Sequence, residues 1–350
     1  MKKWSRPLFT LVLAAFLTCF IAPLIHASEA SDYVDFYTAY NDYLVALNDK
    51  SKGPADVQSA LSKVIEKAEK YLSKYEDKVA QNTNSVLGKL ISLYYGSGKK
   101  DWDKVILYSE KLVQKSTLTD NDKIGVYLVL SDAYVSSAKD MNKGAEYAEN
   151  AKKLTANNKR MHSQACVLAA NAYYIAKKYD PALENYLSSF ESMPTVRAFK
   201  KIEDIGRIFL RNKDYSRALK AFQPICESAN DGIDKKYVVE CLDELGATYA
   251  KMGNAEQAFR TYSRLYSMRK NSEVAYKLGV HHNKIYQSTK DEKQLEVALK
   301  YWAEAVVLKN PASYAQQAEQ ILKKYWFEQK KGSQDDYNDL MAGARQRVGK

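Results

Sequence analysis

The chain has 350 residues, of which 46% are hydrophobic and 27% are charged, with only 14 Gly and 7 Pro. This length can bury a substantial core, and the scarcity of Gly and Pro argues against a sheet fold with many turns and favours long helices. The formal net charge is +11, but basic and acidic residues are interleaved along the chain, which argues against a nucleic-acid partner.

The first residues have the layout of a secretory signal peptide. Lys2, Lys3 and Arg6 form a short basic head, and an apolar run follows from Leu8 to Ile25. We therefore predict a cleaved signal peptide at residues 1–27 and an exported, periplasmic mature chain. The alternative is an uncleaved membrane anchor, because the run is nearly long enough to span a bilayer. Loss of the three basic residues leaves 50 basic against 42 acidic residues, a net charge of +8.

Residues 28–83 are predicted to be helical without a clear repeat, whereas a spacing pattern recurs from residue 84 to residue 312. Large, large, small and aromatic side chains on one helix are followed by small and aromatic side chains on the next. The clearest copy consists of Leu242, Leu245, Gly246, Tyr249, Ala258, Tyr262 and Leu265. A second consists of Ile202, Ile205, Gly206, Phe209, Ala218, Phe222 and Ile225. A third consists of Ala169, Ala170, Tyr173, Ala182 and Tyr186.

This pattern resembles the tetratricopeptide repeat, a helix–turn–helix unit of about 34 residues. The resemblance implies an all-α fold, a right-handed α-solenoid of antiparallel helix pairs that forms a superhelix. Looser copies bring the total to about six pairs, and the copy around Leu278 and Trp302 fits if about seven residues are inserted between its two helices. Residues 313–350 are expected to form a capping helix and a short tail. The small residues are expected where the two helices of a pair cross closely.

The sequence offers little that could carry catalysis. His162, His281 and His282 remain after signal removal, and the adjacent pair does not have the spacing of a metal site. No phosphate-binding loop, nucleophile elbow or metalloprotease motif occurs. We therefore predict a protein that is not an enzyme and that needs no cofactor or metal.

Three cysteines remain after signal removal. Cys166 takes an apolar place in its repeat and is expected to be a buried thiol. Cys226 and Cys241 lie at similar distances on either side of a turn between two antiparallel helices. They are candidates for a disulfide in an oxidising compartment, and the alternative is two independent buried thiols.

The concave surface lined by the first helices of successive pairs is the predicted binding site. Its candidate partner-binding residues are Asn171, Tyr174, Arg207, Leu210, Arg211, Asp243, Lys251, Tyr276 and Lys284. Their basic and aromatic character suits an extended or helical segment that carries acidic residues. Some tetratricopeptide domains clamp a C-terminal carboxylate, and Asn171 matches one clamp position, but Val167 and Asp204 occupy others, which argues against clamping here.

These features favour a scaffold or adaptor of the cell envelope that binds another protein, with peripheral membrane association compatible with the charge. The alternative is a periplasmic solenoid that binds a glycan or a small ligand, which requires a concave face rich in exposed Trp and Tyr. A regulatory subunit or an enzyme would need a catalytic constellation that the sequence does not display.

Overall fold

The computed structural model describes residues 27–76, 80–96, 100–227, 233–329 and 332–350. In these ranges every regular element is a helix and no strand occurs, as the repeat pattern predicted. None of the helices in these ranges has the length and apolar character needed to cross a membrane. The predicted signal peptide lies outside the described residues except for Ala27, where the first helix begins.

The chain divides into two compact units, one ending at Met193 and the other beginning at Pro194. The helices of the first unit are α1 (Ala27–Asn48), α2 (Pro54–Tyr75), α3 (Ala80–Gly96), α4 (Trp102–Val113), α5 (Asp120–Ser136), α6 (Met141–Leu154), α7 (Lys159–Ile175) and α8 (Tyr179–Ser192). Each helix packs against the next along the chain. The pairs are antiparallel, since Ser163, early in α7, lies 2.8 Å from Ser189, late in α8.

The second unit, taken by itself, also consists of consecutive packed helices. Its helices are α9 (Val196–Arg211), α10 (Tyr215–Glu227), α11 (Lys235–Lys251), α12 (Ala255–Met268), α13 (Ser272–Thr289), α14 (Glu292–Leu308), α15 (Ala312–Lys323), a π-helical turn (Lys324–Gln329) and α16 (Gln334–Val348). Here α9, α11 and α13 are the first helices of pairs, and α10, α12 and α14 are the second helices. The last helix, α16, packs against α14.

The same local hydrogen bonds close the turn inside four of the helix pairs. The last turn of the first helix is followed by a residue in the left-handed region, namely Ala138, Lys177, Lys213 or Gly253, with φ of 57°, 58°, 60° and 77°. The next residue donates its backbone N–H to the carbonyl of the repeat aromatic, as Asp214 does to Phe209 at 2.9 Å. This is the closure of a Schellman motif, and only one of these four turns uses glycine for it.

The two helices of a pair approach most closely at the small repeat position. A Cβ added to Gly206 would lie 2.7 Å from the ring of Phe222, and one added to Gly246 would lie 2.7 Å from the ring of Tyr262. At Gly279 the corresponding distance, to Trp302, is 2.5 Å. Real carbon atoms do not approach so closely, so these glycines are required by space and not by backbone conformation.

The last regular pair differs from the expectation in where its extra residues lie. Only Lys290 and Asp291 separate α13 from α14, so the insertion lengthens both helices and forms no long loop. No Gly or Pro interrupts the segment. The chain turns at Lys290, which is left-handed, and the Asp291 side chain caps α14 by accepting from the backbone N–H of Lys293.

A shared carboxylate joins neighbouring pairs in the first unit. Glu69 of α2 accepts hydrogen bonds from the hydroxyls of Tyr94 (3.0 Å) and Tyr108 (2.7 Å) and from the ammonium of Lys104 (2.9 Å). Burial alone would raise the pKa of Glu69, but these three donors outweigh it and hold the pKa below its usual range.

The same cluster recurs one repeat later. Glu110 of α4 accepts from the hydroxyls of Tyr134 (2.5 Å) and Tyr147 (3.4 Å), and Lys143 lies 3.6 Å away. Burial and the nearby Glu110 raise the pKa of Tyr147 to about 12. Tyr94, Tyr108, Tyr134 and Tyr147 are thus structural, because each brings apolar ring surface and a hydroxyl that donates to a carboxylate of the adjacent pair.

Replacement of Gly246 by Leu tests the close crossing. The new side chain meets the Tyr262 ring, so we expect a loss of unfolding free energy of about 1–3 kcal/mol. Ala218→Leu, in the fully buried reciprocal position of α10, should behave alike. Ala250→Leu on the exposed side of α11 is the matched control, measured by the same urea titration. Near-neutral unfolding of both buried variants would contradict the crossing.

Glu69→Gln tests the shared carboxylate. We expect a destabilisation of about 1 kcal/mol at neutral pH, since the charge-assisted hydrogen bonds are only partly shielded from solvent. The pKa of Glu69 is lower in the folded protein than in the unfolded chain, where it is about 4.3. The stabilisation by Glu69 is therefore fully present above about pH 4.3 and is lost as the pH falls through the pKa of the folded protein. Urea titrations at several pH values, with exposed Glu66→Gln as control, measure it. A pH-independent difference would contradict the account.

Candidate partner-binding face

The first helices of the second unit carry acidic residues at matching repeat positions. Glu203 of α9 and Asp243 of α11 occupy one position, and Asp204 and Glu244 occupy the next. Glu240 of α11 and Glu273 of α13 share a third. We call this set the acidic band; its members are Glu203, Asp204, Glu240, Asp243, Glu244 and Glu273.

Arg207 joins α9 to α11 within this band. Its Nη2 donates to Glu203 and its Nε donates to Glu244, both at 2.9 Å. Glu203 is only 4% exposed, and burial raises its pKa, an effect that Arg207 opposes and that neighbouring acidic side chains strengthen. The guanidinium therefore compensates a buried carboxylate inside the protein.

Lys277 plays the corresponding part between α11 and α13. Its ammonium lies 2.8 Å from Glu273 and 3.7 Å from Asp243, and it sits 4.6 Å from the centre of the Tyr262 ring. Asp243 Oδ1 is buried and accepts no hydrogen bond from the described residues. Burial raises the pKa of Asp243, Lys277 opposes this, and Glu273 and Glu244 add to it.

The band keeps an excess of negative charge. Two basic side chains, Arg207 and Lys277, are already in contact with four of its six carboxylates, and Arg269 adds a positive charge near Asp243. The six carboxylates still outnumber these three cations. Glu203 and Asp243, the two band carboxylates whose pKa is raised by burial, would be stabilised in their charged form by a further cation nearby. The band is therefore suited to positively charged groups of a partner.

A row of basic residues follows the band toward the carboxyl ends of the same helices. Arg211, Lys251 and Lys284 occupy one repeat position, are exposed, and form no ion pair with any residue in the described ranges. We call them the basic edge. Arg211 and Lys251 come eight residues after Glu203 and Asp243, which places the edge roughly 12 Å from the band along each helix.

The other predicted site residues have different surroundings. Asn171 and Tyr174 belong to the first unit, where Asn171 Oδ1 accepts from the Tyr186 hydroxyl at 2.6 Å, a contact between the helices of one pair. Leu210 is half-buried, and the Tyr276 ring centre lies 5.5 Å from that of Tyr314 on α15. Arg207 is engaged by Glu203 and Glu244 within the protein. The sequence led us to expect a basic face, whereas the structure has an acidic centre with a basic edge.

Of the residues of this face, the sequence reasoning did not place five of the six band carboxylates, nor Lys277; the five are Glu203, Asp204, Glu240, Glu244 and Glu273. The available signal was the repeat register, because the Glu203–Asp204 pair and the Asp243–Glu244 pair align in successive first helices. The repeat positions of Arg207 and Lys277 gave no indication that their charges meet carboxylates of the adjacent helix.

The candidate cysteines lie where α10 packs on α11. Cys226 of α10 and Cys241 of α11 form a disulfide with a Cα–Cα distance of 6.0 Å, which ties one helix pair to the next. Cys166 is a buried thiol, and burial raises its pKa. His282 Nδ1 pairs with Gln294 Oε1 at 2.7 Å, and the described residues contain no cluster of three His, Cys, Asp or Glu side chains suited to a metal ion.

Comparison with known proteins gives distant similarities. No family model matches the chain. Human intraflagellar transport protein 88 homolog is 22% identical over 111 residues, which cover 32% of this chain and 13% of that protein, so the matched part is a small fraction of its length.

Solved structures are similar at low sequence identity. The apo form of RapI has 14% identity and a TM-score of 0.39, covering 84% of this chain and 99% of that chain. YrrB, described as a TPR protein with an unusual peptide-binding site, has 16% identity and a TM-score of 0.32, covering 56% and 91%. PilF of Pseudomonas aeruginosa has 15% identity and a TM-score of 0.26, covering 64% and 99%.

Replacement of Arg207 by Met tests its internal role. The loss leaves Glu203 buried without a compensating charge, and we expect destabilisation by about 1–3 kcal/mol, less than for a fully buried pair because Arg207 is partly exposed. Adding Glu203→Leu should recover most of this loss. Arg211→Met, at an exposed position without an ion pair, is the control, and thermal unfolding is the readout. A stability equal to that of the control would contradict the role.

Proposed function

We propose that this protein is a non-enzymatic scaffold or adaptor of the cell envelope, and that a helical segment of a partner protein binds across the first helices of the second unit. The acidic band and the basic edge carry this proposal. They run side by side over α9, α11 and α13, and each is built from matching repeat positions.

The spacing of the two rows supports a helical partner. A helix with its side chains is about 10–12 Å wide, which matches the separation of roughly 12 Å between the rows. A segment with basic residues on one side and acidic residues on the other would meet both rows at once. Opposite charges across such a face fix the orientation of the partner and raise its association rate.

Export is part of the proposal. The basic head and apolar run at residues 1–27 support a signal peptide. The disulfide between Cys226 and Cys241 supports an oxidising compartment such as the periplasm, because cytosolic thiols are kept reduced. An adaptor there would meet envelope proteins, and its positive net charge is compatible with peripheral membrane association.

Charge reversal on each row tests the binding face. Crosslinking pull-downs from envelope extract should lose the partner with the triple variant Arg211→Glu/Lys251→Glu/Lys284→Glu and with Asp204→Lys/Glu240→Lys. The matched control Lys220→Glu/Arg264→Glu/Lys293→Glu changes exposed positions on the second helices α10, α12 and α14. The proposal would be contradicted if the face variants still captured the partner and the control variant did not. Capture of no protein at all would favour the glycan- or small-ligand-binding alternative.

Binding should also depend on pH. The pKa values of Glu203 and Asp243 are raised, chiefly by burial, so these carboxylates become neutral at a higher pH than ordinary ones. Capture of the partner should be strongest at neutral pH and should weaken as the pH falls through these raised values. Equal capture at pH 7 and at a pH near the ordinary carboxylate range, about 4, would contradict a role for the band.

A further inference from the structure

A second concave site lies on the opposite layer of the second unit, among the second helices. It is a shallow, open pocket of about 410 Å³ between α12, α14 and α16, a volume within the range of ligand sites for small molecules. None of its lining residues belongs to the acidic band or to the basic edge. We call it the second-helix pocket; its lining residues used below are Tyr266, Lys270, Lys300, Tyr301, Glu304 and Arg347.

The pocket has an excess of positive charge. Lys270, Lys300 and Arg347 face a single carboxylate, Glu304. Glu304 is 6% exposed and both of its oxygens are used, Oε2 by the hydroxyl of Tyr266 at 2.6 Å and Oε1 by Nε of Arg347 at 2.5 Å. Glu304 thus positions the guanidinium of Arg347 at the pocket. Its single negative charge offsets only one of the three positive charges that line the pocket.

The remaining donors are available to a ligand. Lys270 Nζ donates to the backbone carbonyl of Arg347 at 2.5 Å, which leaves its charge uncompensated. Lys300 is exposed and has no ion pair or hydrogen bond with a side chain in the described ranges. Three cationic groups concentrate positive potential at this open pocket, Lys270 from the loop after α12, Lys300 from α14 and Arg347 from α16.

The wall of the pocket is aromatic. The rings of Tyr266 and Tyr301 meet edge to face with centres 5.8 Å apart, and Tyr301 also stacks on His282. Burial and the nearby Glu304 raise the pKa of Tyr301, so its hydroxyl stays protonated at neutral pH and can donate to an anion. The recess therefore offers cationic donors and a rigid ring surface.

We propose that the second-helix pocket binds a small molecule that carries a phosphate monoester, with Lys270, Lys300 and Arg347 holding the phosphate and Tyr301 contacting the attached group. A tetrahedral dianion matches three separate cationic donors better than a single carboxylate does, and an Arg fork suits it well. The cavity is larger than a phosphate needs, which leaves space for an organic part. Because Arg347 belongs to α16, such a ligand would also hold the last helix on α14.

Calorimetric titration of the purified protein with inorganic phosphate and with phenyl phosphate, at constant ionic strength, tests this site. We expect both probes to bind and phenyl phosphate to bind more tightly. Lys300→Gln and Lys270→Gln should each weaken binding about tenfold or more, the usual effect of losing one charge-assisted hydrogen bond. Lys293→Gln, an exposed change on the same helix α14 outside the pocket, should leave the affinity unchanged.

Two further comparisons identify the source of the phosphate. Equal affinity for inorganic phosphate and phenyl phosphate would assign the pocket to free phosphate. In a second experiment, the protein is sedimented with phosphatidylcholine vesicles that contain or lack phosphatidic acid. Binding that requires phosphatidic acid and is lost in Lys300→Gln would assign the pocket to a lipid headgroup. The proposal would be overturned if neither probe nor the vesicles bound. It would also be overturned if Lys293→Gln weakened phosphate binding as much as Lys300→Gln does. The partner pull-down is independent of these titrations, since its variants leave the pocket intact.

Discussion

The close crossing of the two helices in each pair is the constraint on which the rest of the second unit depends. Gly206, Gly246 and Gly279 leave no room for a Cβ beside the aromatic ring of the second helix. This contact fixes the rotation of each first helix about its own axis. The remaining positions of each first helix then align with those of neighbouring first helices, so Glu203 and Asp243 extend one row, and Arg211 and Lys251 extend another. The candidate binding face thus follows from the packing register.

Polar side chains join the pairs in ways that hydrophobic periodicity does not describe. Glu69 and Glu110 each gather tyrosine hydroxyls and a lysine from the following pair, and Arg207 and Lys277 bridge first helices. Each bridge places a charged group in partial burial, where a missing partner is costly. Such bridges restrict how one pair can shift on the next, which keeps the charged rows in register.

The repeat spacing was enough to predict the helix pairs, the crossing glycines and the exposed positions of Arg211, Lys251 and Lys284, because each depends on local periodicity. It was not enough to predict the partners of Arg207 and Lys277 on the adjacent first helix, Glu244 and Asp243, which lie 37 and 34 residues away in the sequence. The extra residues between Leu278 and Trp302 were expected in a connection, but a helix-compatible segment lengthened both helices instead. The pocket beside α16 had no sequence signal, since its residues come from three separate helices.

The most direct measurement of the central claim is site-specific photo-crosslinking from the face itself. Benzoylphenylalanine placed at Ala247, which shares the repeat position of Arg207 and lies between the acidic band and the basic edge, should crosslink a protein partner in envelope extract. The same probe at Arg264, exposed on α12, should not. Crosslinks confined to Ala247 would support binding across the first helices, and crosslinks obtained only from Arg264 would contradict it.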